Sequence, residues 1–129
     1  MLTSEAITMA KKTTPYRHRT EVFHEHDDCI RIAYEWLDAQ KKIKGPTPKT
    51  RAIKHIIEQW AGRYVSQSDV EVAAHMHPDI TGTYPHFNIS ARLVEPKLSR
   101  LDDIGEARTQ MSYRDTHATD RKHTYAVQE

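Results

Sequence analysis

One cysteine in 129 residues excludes an internal disulfide and any multi-cysteine zinc site. Four glycines and six prolines are too few for a low-complexity chain, and neither a glycine-rich phosphate loop nor a nucleophile elbow occurs. Long hydrophobic runs are missing too. None approaches the roughly 20 residues that a bilayer span needs, and the first residues lack the apolar segment of a secretory signal. These absences lead to the expectation of a cytoplasmic protein without a membrane partner. Hydrophobic residues (37%) and charged residues (29%) at a net charge of +1 are ordinary for one domain that buries its own core. Cys29 is then expected to be a small packed residue.

The near-zero net charge hides alternating blocks, and local sign decides what a surface attracts. Residues 1–20 carry a net +3 and residues 21–40 a net −5. Residues 41–65 follow at +6, with Lys41, Lys42, Lys44, Lys49, Arg51, Lys54 and Arg63 against Glu58 alone. This basic stretch is the strongest electrostatic footprint in the chain.

Residues 1–20 show no sustained periodicity and read as a flexible N-terminal arm, ahead of a single domain over 21–129. Ile30, Ala33, Tyr34 and Leu37 repeat at helical spacing, predicting a helix over 26–43 that ends at Gly45-Pro46. Thr47-Pro48 is a helix-start signal, and Ile53, Ile56, Ile57 and Trp60 form the stripe of a second helix over 48–61, stopped by Gly62. Ser66 with Asp69 opens a third helix, closed by His77-Pro78. Thr83 and Pro85 are read as opening a fourth helix over 84–94, with Phe87, Ile89 or Ala91, and Leu93 or Val94 inward. Residues 107–113 alternate in the manner of a strand, and 123–127 read as a returning one, so a C-terminal hairpin is expected. The fold class is therefore mainly α with a small C-terminal β-hairpin.

The order helix, turn, helix, hairpin over residues 47–128 resembles the winged helix-turn-helix superfamily of DNA-binding domains. The stretches that carry the resemblance are Ser68-Asp69-Val70-Glu71-Val72-Ala73-Ala74, the turn through Gly82, and Asn88-Ile89-Ser90-Ala91-Arg92-Leu93. Leu98, Arg100-Leu101, Ile104 and the segment from Arg108 to Tyr125 complete it. The resemblance implies that helix 84–94 enters the major groove with His86, Asn88, Ser90 and Arg92 on its reading face. It also implies phosphate contacts from Arg114, Arg121 and Lys122 at the wing tip, with Lys49, Arg51 and Lys54 adding more. A transcription regulator or an accessory protein of a mobile element would fit, and a homodimer would place two reading helices on one axis.

Two other readings stay open. The same surface would suit a protein-interaction module or inhibitor of a host protein. Nine histidines, with groups at His24-Glu25-His26-Asp27-Asp28 and at His75, His77 and Asp79, would suit a metal-dependent hydrolase. Neither group has an i, i+4 histidine pair, so the expectation is a chain that is not an enzyme, with no catalytic residue, metal ligand or cofactor.

Overall fold

The computed structural model describes residues 1–116 and 123–129. Among them are α1 (Ser4–Thr13), α2 (Asp27–Ala39), α3 (Ile53–Ala61), α4 (Gln67–Met76) and α5 (Ser112–Thr116), with 3-10 turns at Arg19–Glu21 and Leu98–Leu101. The strands are two residues each: β1 (Gly82–Thr83) pairs antiparallel with β2 (His86–Phe87), and β3 (Val94–Glu95) pairs parallel with β4 (Val127–Gln128). The protein is mainly helical, with small sheets at its margins.

The centre is α4, buried continuously from Ser68 to Ala74 and packed most extensively on α2. A helix apolar on one narrow face alone would not sit there, but Val70, Val72, Ala73 and Ala74 ring this one with small and branched carbon. Its start is the expected capping box: Ser66 Oγ accepts from Asp69 N at 3.0 Å, and Asp69 Oδ2 accepts from Ser66 N at 3.1 Å. The same buried carboxylate takes His24 Nδ1 at 2.8 Å and Glu25 N at 3.2 Å, so it also pins the segment before α2. Helix α4 ends at His77, whose Nδ1 accepts from Asp79 N. That leaves Nε2 as the protonated nitrogen, which donates to Asp38 at 2.8 Å.

Helix α2 supplies the other half of the core: Cys29, Ile30, Ile32, Ala33, Trp36 and Leu37 are all fully buried. Both indoles are core, as their stripes predict, and each N–H is satisfied. Trp36 donates to Tyr125 Oη at 2.9 Å and Trp60 to the Pro96 carbonyl at 3.0 Å.

Four sequence expectations are corrected. The N-terminal arm contains α1, capped by Thr3 Oγ1 on Ala6 N, with Ile7 and Ala10 buried against α4 and α2. Helix α2 stops at Ala39 rather than 43, and α3 begins at Ile53 rather than 48, because the intervening chain is extended and bonded elsewhere. Residues 84–94 are not a helix: they comprise a cis Tyr84-Pro85 bond, β2, a loop and the start of β3. Finally, 107–113 do not form a hairpin arm. Arg108 N and Gln110 N donate to the Ala61 and Gly62 carbonyls at the end of α3, each at 2.8 Å, and the chain then turns into α5. The open carbonyls of a helix terminus took the donors that a partner strand would have used.

Candidate nucleic-acid interface

The stretch after α2 leaves the helix because it finds a partner 45 residues away. Ser90 N donates to the Lys41 carbonyl at 2.8 Å, Ile43 N to the Asn88 carbonyl at 2.9 Å, and Thr47 N to the Phe87 carbonyl at 3.1 Å. His86 Nδ1 reaches the Thr47 carbonyl at 2.9 Å, the Thr47 hydroxyl is bound by the Ile89 carbonyl, and Arg51 Nη2 donates to the Ala91 carbonyl at 2.9 Å. Residues 41–51 and 86–91 thus lie side by side as an irregular two-stranded ribbon. The hydroxyl expected to cap a helix at Thr47 is spent inside it.

Charge is the consequence. Neither 39–57 nor 80–94 contains an acidic residue, so the ribbon joins two acid-free stretches into one surface. Lys41, Lys44, Lys49 and Arg92 are exposed on it and form no ion pair among the described residues. Lys42 is partly withdrawn: its Nζ donates to the Asp38 carbonyl at 2.7 Å, and burial holds its ammonium below the usual lysine range, although Asp38 and Asp79 oppose that shift. Arg51 is half-buried; its Nε is the one buried side-chain polar atom without a hydrogen bond among the described residues.

The expected site residues separate accordingly. Lys49, Arg51 and Arg92 come together, with His86 half-buried beside them. Lys54 does not join the cationic surface, because Glu58 pairs with its ammonium and the Tyr64 ring lies 4.3 Å away. Asn88 is a correction. It is 7% exposed, its Oδ1 accepts from Thr81 N at 2.7 Å, and its Nδ2 donates to the Asp79 carbonyl at 2.9 Å. It holds the turn at 79–81 and offers nothing to a base edge. Ser90 is half-buried and accepts from Arg92 N at 3.2 Å. With no helix over 84–94, these four residues share no reading face. Arg114 binds the Trp60 carbonyl at the far end of α3 from Arg51, about 13 Å along a nine-residue helix. Arg121 and Lys122 lie outside the described residues. Lys41 and Lys44 were visible in the sequence as part of the basic block, but only the ribbon places them with Arg92.

The histidine groups are taken up in pairs. His24 bridges Asp69 and the Tyr16 hydroxyl, His26 caps α2 through Asp28 N, and His77 meets Asp38. Among the described residues, no three His, Cys, Asp or Glu side chains converge as metal ligands would. No helix among them is long and apolar enough to cross a membrane. No family model, curated protein or solved structure matches this chain.

Proposed function

We infer that this protein binds nucleic acid by its sugar-phosphate backbone, with Lys41, Lys44, Lys49 and Arg92 as the phosphate contacts and Arg51 beside them. The observation that carries the reading is the ribbon, which sets four unpaired cations on a surface built from two acid-free stretches. Exposed cations that are free of carboxylates neutralise phosphates and release condensed counterions. Backbone contacts of this kind position a nucleic acid without reading its sequence, consistent with Asn88 being turned inward. A two-stranded ribbon is also narrow enough for the major groove.

The test is a salt titration of binding to a labelled random-sequence DNA, from about 50 to 200 mM, with the parent beside a variant carrying Lys41→Gln, Lys44→Gln, Lys49→Gln and Arg92→Gln. The parent should lose affinity steeply as salt rises. Each contact removed should flatten the log–log slope by roughly 0.9 on duplex and roughly 0.7 on a single strand. An unchanged slope in the quadruple variant, or no DNA binding by the parent at 50 mM salt, overturns the reading.

A further inference from the structure

The β1–β2 hairpin has a second side. There, between the hairpin, α4 and the residues that follow α1, lies a cavity of about 140 Å³. Gly82 is required at its mouth: its φ is +98°, and a Cβ there would come within 2.5 Å of the His86 carbonyl oxygen. Glu71 lies in the wall, on the central helix and 93% buried, since it is only 7% exposed. One of its oxygens, Oε2, accepts from Arg17 N at 2.8 Å. The other, Oε1, receives no hydrogen bond from any described residue. Oε1 is not sealed from solvent, so it is an acceptor open to whatever enters the cavity.

The rest of the wall says which donor. Tyr84 and Phe87 meet edge to face at 6.0 Å, and with Ile80 and Pro15 they line the cavity with aromatic and apolar carbon. Burial pushes the Tyr84 phenol up, so it is uncharged at neutral pH. Thr14, His75 and Thr83 complete the wall, and Arg17 stands beside it, its Nη1 donating to the Tyr84 carbonyl at 3.2 Å. The Arg17 guanidinium beside the wall disfavours an organic cation. A flat, uncharged ring bearing an amino group avoids that repulsion, and its N–H would serve Glu71 Oε1.

We propose that the cavity receives one unpaired nucleobase bearing an exocyclic amino group, which donates to Glu71 Oε1 while the ring lies against Tyr84 and Phe87. This rests on the nucleic-acid reading: the hairpin that puts Tyr84 in the cavity wall puts His86 on the ribbon's Thr47. Cytosine, adenine and guanine have the donor. Thymine and uracil lack the amino group, and their one ring donor, N3–H, lies between two carbonyl oxygens, one of which would be set against the Glu71 carboxylate, so they fit less well. Only an unpaired base can enter, so the preferred strand is single.

The experiment compares fluorescein-labelled oligo-dC and oligo-dT of equal length by anisotropy across the same salt titration, with the ratio of affinities taken at each salt concentration. The two pyrimidines differ little in size but differ at the donor. The parent should prefer oligo-dC by about tenfold, the lower part of the range for one well-placed base contact. Glu71→Gln, with its carbonyl oxygen kept on Arg17 N, turns its amide NH2 to the cavity, and should bring the ratio to one or below. The quadruple ribbon variant should weaken both oligomers and keep the ratio. A parent ratio near one, with steep salt dependence retained, overturns the cavity assignment and leaves the ribbon reading standing. Salt-independent or absent binding to both overturns the ribbon reading. Amide chemical shifts at Gly82, Thr83 and Ala74 under cytidine and then uridine provide a check that needs no variant: cytidine should move them and uridine should not, and equal responses count against the assignment.

Discussion

Asn88 separates two accounts of this protein, and replacing it distinguishes them. An asparagine on a reading helix would be exposed, and its loss would damage DNA binding and spare stability. In the structure its amide is buried, and Asn88→Ala deletes two good hydrogen bonds, to Thr81 N and the Asp79 carbonyl, plus a long one to the Ile43 carbonyl at 3.4 Å. A buried amide bond contributes about 1 kcal/mol net. Its partners here, Thr81, Asp79 and Ile43, are exposed enough to recruit water, which removes the larger penalty for orphaned groups. The sum is roughly 2–3 kcal/mol, which for a chain of this length lowers Tm by roughly 8–12 °C. Thermal and urea unfolding followed by circular dichroism at 222 nm measure it, with Arg92→Ala, an exposed change, expected within about 0.5 kcal/mol of the parent. At a temperature where both proteins are folded, Asn88→Ala should bind random DNA as the parent does. A variant that melts within 2 °C of the parent but loses DNA affinity would refute this reasoning and return residues 84–94 to an outward-facing role.

Other outcomes follow from the same geometry. Gly82→Ala should destabilise the protein by roughly 1–3 kcal/mol, because φ is positive and the new methyl would strike the His86 carbonyl; urea unfolding reads it. Cys29 is fully buried, and that burial pushes its thiol up to about 12, so it should resist Ellman's reagent at pH 8 in the native state and react fully in urea. Burial alone would raise the Asp38 carboxyl, but hydrogen bonds from His77 and Arg100 hold it below its ordinary value. A carboxyl lowered on folding contributes stability above its unfolded pKa of about 3.9, and that contribution is lost as pH falls through the lower folded value. Between about pH 5 and 2, Asp38→Asn should therefore lose less stability than the parent, and equal losses would count against the interaction.

The elements legible in the sequence are those whose causes lie within a few residues. The start of α4 is one: Ser66 and Asp69 bind each other's amides three residues apart, and His77-Pro78 closes the helix by a clash with the next ring. The stripe of α2, the left-handed Gly62 after α3 and the two core tryptophans belong with it. Residues 84–94 do not. Phe87, Ala91 and Val94 have helical spacing, whereas Phe87, Ile89 and Leu93, the residues buried in the structure, have the even spacing of an extended chain, and the stretch is apolar enough for both, so periodicity could not choose. Thr47-Pro48 carried a genuine start signal that was overruled, since the Thr47 hydroxyl and amide serve Ile89 and Phe87.

By itself, then, the sequence determined the central helices, the core and the presence of a basic block. Only the tertiary structure decided where that block faces and which residues stand beside it. Caps and helical stripes act through contacts three or four positions apart and are written in adjacent letters. The ribbon and the Glu71 cavity depend on bonds between segments tens of residues apart, available only once α2 and α4 have packed and brought those segments together.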